Sequence, residues 1–458
     1  VFSRSFVAAT AAAVLAVTGL STPAHAAKSP DGLMLVATHQ SLLGTHTWYQ
    51  QTYSGIPVLG GFYATHTDSR TGTVSTDDGR VAVSGVPALT ATFGSDRARA
   101  RVAGAALRTG LVIVPGAHAT LAWELLSDRS GRSVRTLVDA RSGVLLKEEP
   151  LVKEATGTGK VFEPNPVVTL QNEGLTDNGN KDSATFTPAY KTVTLTQLDS
   201  SGNLIGAYAK NTSSSAVNSS THTYNYNRSQ KQFEQVMGYY HITRAQEYIQ
   251  SLGFTNVNNS AQKYRTTGLT DDNSFYDPST DQITYGTGGV DDAEDAEVIW
   301  HEYGHAIQDA QVPGFGSTEE AGAIGEGFGD YWAFTMSAAV STSTSTTPLA
   351  CIADWDSVSY TSGTPHCLRR VDGTKVYPGG KDGEVHDDGE IWSRALFDIY
   401  NALGRTQTDK IILEGQFSFS PSTTMPAAAS KIVAAAQSLY GTTAANAATT
   451  AFHNRGIL

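Results

Sequence analysis

The sequence predicts an α+β protein with a β-rich front and a mainly helical back. Three observations carry this. Apolar residues alternate with polar ones across 111–146, the period of a half-buried strand. From residue 230 onward they recur at helical spacing instead, most clearly over 230–252 and again from Glu294 to the end. Charge also divides the chain near residue 155: the front holds 14 Lys/Arg against 11 Asp/Glu and the back 18 against 33. With 458 residues the chain exceeds what one core organises and implies two or three domains.

Taken in order, residues 1–26 read as a secretory signal peptide. Arg4 precedes the apolar stretch 6–20, and Pro23-Ala24-His25-Ala26 has the small-x-small pattern of a cleavage site after Ala26. As a helix that stretch rises only about 22 Å, short of the roughly 30 Å of a hydrocarbon core. The remainder is expected to be exported, with no membrane attachment after cleavage. Residues 98–108 are rich in Ala and Arg and predict a helix. The runs 111–114, 120–125, 135–139 and 144–146, separated by Pro115-Gly116, Ser130-Gly131 and Ser142-Gly143, predict an antiparallel meander. Short strands are expected within 160–225, as at 190–195, and at 282–286. A helix over 230–252 stops at Gly253. The Ser/Thr run 341–347 reads as a surface loop.

Several function classes fall away. A net charge of −12 argues against nucleic acid as a partner, because phosphate binding needs a basic face. No G-x-S-x-G elbow is present, and Gly159-Lys160-Val161 lacks the frame of a phosphate loop. The two cysteines, Cys351 and Cys367, allow one bridge; in an exported protein they are expected to pair, the alternative being two buried thiols.

The sharpest signal is His301-Glu302-Tyr303-Gly304-His305. On a helix, residues four apart sit about 40° apart around the axis and one turn apart along it, so both imidazoles reach one metal ion. Glu302 lies beside that ion, placed to touch a water molecule. Taken alone, the pattern also fits a solvated helix with two chance histidines. A zinc site of this kind needs a third protein ligand and an open position. Gln308 and Gln311 exclude the arrangement in which a third histidine follows directly. The segment Gly325-Glu326-Gly327-Phe328-Gly329-Asp330 offers Glu326 as ligand, and Asp330, four residues on, as the acceptor for the other ring N–H of a ligand histidine. An ordinary acidic face that includes Glu319 and Glu320 is the alternative, although the apolar flanks point to burial. Downstream, His386 opens a helix among carboxylates; such a histidine is either structural or an aid to an oxyanion.

With these residues the chain resembles a thermolysin-type zinc metallopeptidase on the fungalysin side of that clan. The segment 45–58 resembles the opening of the fungalysin/thermolysin propeptide, and the meander 111–146 the inhibitory domain that follows it. The resemblance implies a thermolysin-like two-lobed catalytic domain, β-rich then helical, preceded by a prodomain of antiparallel sheet plus helix. The expected limits are 1–26 signal peptide, 27–155 propeptide, 156–300 β-rich lobe ending in the zinc helix, and 301–458 helical lobe. Activation is expected by a cut within 154–158.

Carried over by position, the resemblance makes His301, His305 and Glu326 the ligands of one catalytic Zn²⁺, Glu302 the general base, and Asp330 the acid behind the ligands. It makes His386 the transition-state histidine, Asn273 part of a substrate-holding edge segment 273–276, and Arg369 the substrate-gripping arginine, with Arg370 competing. Two positions depart from the pattern. Ser317 stands where the family has a Tyr. Glu297 matches a calcium-binding acid but Ser337 stands at its partner position, so Ca²⁺ is not assumed. The implied function is a secreted zinc endopeptidase made as a zymogen, monomeric, acting on proteins or peptides and held inactive by its own propeptide. Zinc supplies the Lewis acid, Glu302 takes the proton of the attacking water, and His386 helps hold the oxyanion. The alternatives are a zinc amidase or exopeptidase on cell-wall peptides, and an inactive binding protein of the same fold.

Overall fold

The computed structural model describes residues 32–40, 44–85, 89–102, 105–129, 132–150, 155–255 and 257–458. The expected signal peptide lies outside them. The described residues form two compact units, one of those up to 127 together with 135–149, the other of those in 128–134 together with 150–458.

The first unit is one sheet with a short helix. Its strands are β1 (Leu33–Gln40), β2 (Gly44–Tyr53), β3 (Ile56–Asp68), β4 (Val74–Gly79), β5 (Ala105–Val114), β6 (Thr120–Arg129), β7 (Arg132–Asp139) and β8 (Leu145–Pro150). They are ordered β1-β2-β3-β5-β6-β7-β8, with β4 also paired to β3. The β2–β3 connection is two residues, Ser54 and Gly55, both with positive φ (49° and 80°). That geometry matches the twist of the flanking strands and favours glycine at the second place. Alternate residues of the central strands (Val58, Ile113, Leu121) enter a small core, and Leu125 and Val138 enter another with Phe93. The helix expected over 98–108 is corrected: α1 is only Ser95–Arg99, and Ala105–Arg108 extend the strand through 111–114. Gly104 interrupts the Ala/Arg run with a residue that costs a helix about 1 kcal/mol, and pairing in the sheet then outweighs the helix preference of the residues after it.

In the second unit β9 (Ala155–Val161) is followed by α2 (Pro166–Leu170), β10 (Lys191–Leu198), β11 (Ala209–Asn211) and β12 (Thr223–Tyr224). β9 lies between β10, antiparallel, and β12, parallel. Residues 155–158 of the expected processing segment thus lie in a paired strand, where the Thr158 amide donates to the His222 carbonyl at 2.9 Å. Next come α3 (Gln232–Ser251), β13 (Gln262–Arg265), β14 (Phe275–Asp277) and β15 (Gln282–Thr284). A second sheet runs β11-β13-β15-β14, with β14 at its edge. The helical remainder is α4 (Ala296–Gln311), α5 (Glu319–Ser337), the two-residue pair β16 (Cys351–Ile352) and β17 (Arg369–Arg370), then α6 (Val385–Leu403), α7 (Arg405–Gln416), α8 (Met425–Tyr440) and α9 (Thr442–Asn454). Cys351 and Cys367 are disulfide-bonded, with Cα atoms 5.1 Å apart.

One continuous core runs from Val161 to Ile457. Buried polar links tie α3 to α4. The Trp300 indole donates to the His241 carbonyl (3.2 Å) and the Tyr303 hydroxyl to Gln246 (2.7 Å). With α4 held from one side, α5 packs on the other, and Gly327 lets α6 come close: a Cβ there would lie 2.4 Å from the Gly389 carbonyl oxygen. Among the described residues no helix is long and apolar enough to cross a membrane.

Candidate active site

The side chain of Asp295 caps α4 by accepting from the Glu297 amide (2.9 Å), and Thr318 caps α5 through the Ala321 amide (3.3 Å). The two helices approach closely because glycines meet: a Cβ on Gly304 would lie 3.0 Å from the Gly329 Cα. This closeness brings Glu326 against the histidines one turn apart on α4. His301 Nε2 is 3.2 Å from Glu326 Oε2, and His305 Nε2 is 3.4 Å from Glu326 Oε1. One donor atom from each of the three lies within 4.8 Å of the others. A tetrahedral site with bonds of about 2.0–2.1 Å has edges of about 3.3 Å, so this two-imidazole, one-carboxylate set has the dimensions of a zinc site. Glu302 Oε2 is buried without a hydrogen-bond partner, as expected where something other than protein completes the site.

Asp330, fully buried, accepts from His301 Nδ1 at 2.9 Å, which turns Nε2 toward the donor set. Arg369 forks the same carboxylate, with Nε to Oδ2 at 2.7 Å and Nη2 to Oδ1 at 2.8 Å. Burial opposes the charge on Asp330, but Arg369 and His301 hold its pKa down at about 2. Burial likewise opposes charging His301, yet Asp330 and Glu326 push its pKa up to about 10, so the cluster draws a positive charge to its centre. His305, without such a carboxylate behind it, is pushed down to about 4 by burial. Burial drives Glu302 up to about 7, against the opposing charge of His301.

The surrounding cleft has a volume of about 920 Å³ and is lined by all three donors, Glu302, Arg369 and His386. His386 sits on the first turn of α6. Its N-cap Glu384 accepts from His386 Nδ1 (2.6 Å) and from the His386 amide (3.0 Å), leaving Nε2 3.5 Å from Glu326 Oε2. Asn273 lines the same cleft just before the edge strand β14. Of the two arginines, Arg369 faces the site, while Arg370 forks Asp372 at 2.7 and 2.8 Å. The acidic-face alternative separates in space. Glu319 pairs with Lys381 (3.0 Å) and Glu320 accepts from the Met425 amide (2.7 Å), whereas Glu326 and Asp330 turn to the histidines. Glu297 is buried and accepts from the Ser337 hydroxyl and the Ala353 amide (2.7 Å), so a hydroxyl occupies the place of a second acid. Ser317 instead donates its amide to the Pro421 carbonyl (2.9 Å).

Sequence reasoning missed Tyr360 and the carboxylates Asp272, Asp292 and Asp356, which line the same cleft. The one available signal was the dense acidic run Asp291-Asp292-Ala293-Glu294-Asp295 ahead of α4.

Residues 283–457 match the fungalysin metallopeptidase family (M36), and residues 31–75 match the fungalysin/thermolysin propeptide motif. No curated protein matches the chain significantly. Among solved structures, the precursor of protealysin, a metalloproteinase from Serratia proteamaculans, is 14% identical over 49% of this chain and 79% of its own, with a TM-score of 0.40. The C-terminal domain of Bacillus megaterium YpeB is 15% identical over 27% and 58%, with a TM-score of 0.21. Likenesses that faint carry no argument, and the two family matches stand without them. His301, Glu302, His305, Glu326, Asp330, Arg369 and His386 all fall inside the first matched segment. The chain thus carries a segment, residues 283–457, that matches the fungalysin metallopeptidase family, with a match to the fungalysin/thermolysin propeptide motif ahead of it.

Proposed function

We propose that the chain is the zymogen of a secreted zinc endopeptidase. The observation that carries this reading is the set of donor separations, 3.2 and 3.4 Å from Glu326 to the two imidazoles, with the unpartnered Oε2 of Glu302 beside them. Zinc, when bound by His301, His305 and Glu326, supplies Lewis acidity toward the scissile carbonyl and toward water. Glu302 takes a proton from the attacking water and delivers it to the leaving nitrogen. Asp330 keeps the His301 tautomer, with Arg369 locking Asp330 in place. His386 Nε2 helps hold the oxyanion, and Arg369 with the Asn273 segment positions an extended substrate along the cleft.

In this reading residues 1–26 direct export and 27–155 are an intramolecular inhibitor removed by a cut near 154–158. Residues 156–300 and 301–458 then form the two lobes of a monomeric enzyme. The family matches support the zymogen arrangement, since the propeptide motif precedes the peptidase segment. The test is Glu302→Gln in the processed protein. Cleavage of internal bonds in casein is expected to fall by several orders of magnitude, with zinc content and unfolding unchanged. A variant with full activity refutes the role of Glu302. Release of terminal residues alone by the parent enzyme refutes endopeptidase action.

A further inference from the structure

The same cleft holds a second group of potential ligands that the proteolytic reading leaves unused. Asp272 precedes β14, Asp292 opens the short 3-10 turn Asp292–Glu294 ahead of α4, and Asp356 opens another, Asp356–Ser359. One carboxylate oxygen from each lies within 4.8 Å of the others. Asp292 and Asp356 are only 3% and 6% exposed. Each has one satisfied oxygen: Asp292 Oδ2 accepts from the Ser274 hydroxyl, and Asp356 Oδ2 from the Tyr360 hydroxyl at 2.7 Å. Each also keeps an Oδ1 that is buried with no partner. Among the described residues no Lys, Arg or His forms an ion pair with any of the three.

The backbone holds these segments together independently of the carboxylates. The Gly288 amide donates to the Asp271 carbonyl (3.2 Å), Asp292 to Gly286 (3.1 Å), and Val290 to the Ser359 hydroxyl (2.6 Å). Gly289, at φ 62°, leaves room for Asp272: a Cβ there would lie 2.7 Å from Asp272 Oδ2. The fold therefore forces three carboxylates together, and two buried carboxylates without a counter-charge cost several kcal/mol each.

We propose that Asp272, Asp292 and Asp356 form a second metal site, separate from the His301/His305/Glu326 set, that binds a hard divalent cation of the Ca²⁺ class. The donors are all oxygens, which selects against zinc and for calcium-like ions. With bonds of about 2.3–2.6 Å, oxygens on opposite sides of one Ca²⁺ are about 4.6–5.2 Å apart, so three donors within 4.8 Å fit a single shell that water completes. Burial raises the pKa of all three carboxyls, Asp292 to about 7, a burden that a bound cation reverses. The ion would tie the segment ahead of β14 to the entry of α4, holding one wall of the cleft.

The test uses the full chain stripped with EGTA, with Ca²⁺ titrated calorimetrically and Tb³⁺ followed by luminescence excited through tyrosine, since Tyr360 contacts a proposed ligand. The parent is expected to bind one Ca²⁺ that displaces Tb³⁺ and raises the unfolding temperature. Asp292→Asn and Asp356→Asn should each weaken binding at least tenfold and together abolish it, while Glu297→Gln leaves it in place. Asp272→Asn, at an exposed position, should fold normally and also bind more weakly. Zinc content, measured separately, should not change in any of them, so failure here is distinct from failure of the zinc reading. No Ca²⁺ uptake by the parent, or uptake that survives the double substitution, overturns the proposal.

Discussion

Gly329→Ala sets two calculable effects against each other. Alanine inside α5 should favour the helix by about 1 kcal/mol over glycine. Its Cβ, however, would lie 2.7 Å from His301 Nδ1, 2.8 Å from Cε1 and 3.1 Å from Cγ, about 0.7 Å inside the 3.4 Å at which ordinary contact begins. The ring is not free to yield, because Nδ1 is held at 2.9 Å by Asp330 and that carboxylate is forked by Arg369. Either the ring retreats from the donor set or α4 and α5 separate, and Gly304 already lies against Gly329 at the crossing. A ligand displaced by more than about 0.5 Å leaves the productive geometry. We expect zinc affinity to fall about 10–100-fold, the loss typical of a disturbed ligand support. Unfolding of the zinc-free protein in urea should stay within about 1 kcal/mol of the parent. Chelator competition measures the first quantity and denaturation after EDTA treatment the second. Parental zinc affinity in a normally folded Gly329→Ala protein would refute the claim that this glycine makes room for His301.

Two further outcomes follow from the same structure. Cys351→Ser with Cys367→Ser opens a loop of 15 intervening residues and should cost about 3 kcal/mol; urea unfolding checks it, and an unchanged midpoint would contradict the estimate. His241, fully buried with Nε2 donating to the Phe162 carbonyl at 2.8 Å, has its pKa pushed down by burial to about 4 from the ordinary 6.5. A depressed histidine stabilises the fold above the unfolded pKa, and that stability is lost as pH falls from 6.5 through 4. The loss reaches about 3 kcal/mol, and His241→Gln should flatten this part of the acid limb in denaturation series at pH 7 and pH 4.

Much of the candidate site was legible because it is local. His301 with His305, and Glu326 with Asp330, are pairs four apart, and helical geometry alone puts each pair on one face. The place of His386 at the start of α6 was legible too, whereas its role came only with the resemblance, and its N-cap Glu384, two residues before it, was not read. The Cys351–Cys367 bridge followed from compartment and loop composition rather than from any contact.

What the sequence by itself determined is therefore the helices that carry the site, their ligand-bearing faces and the order of the segments. These depend on spacings of a few residues, which are read directly along the chain. Only the tertiary structure shows which of Arg369 and Arg370 faces the donor set. The two are neighbours on β17, where successive side chains point to opposite faces, and pairing with β16 in the register Ile352–Arg369 and Cys351–Arg370 sends the first to Asp330 and the second to Asp372. It also decided that Ala105–Arg108 are strand and that Ser337 satisfies Glu297. The convergence of Asp272, Asp292 and Asp356 is tertiary as well. Those carboxylates are distant in the chain, and only packing of the whole unit, which no local propensity encodes, puts them within one coordination shell.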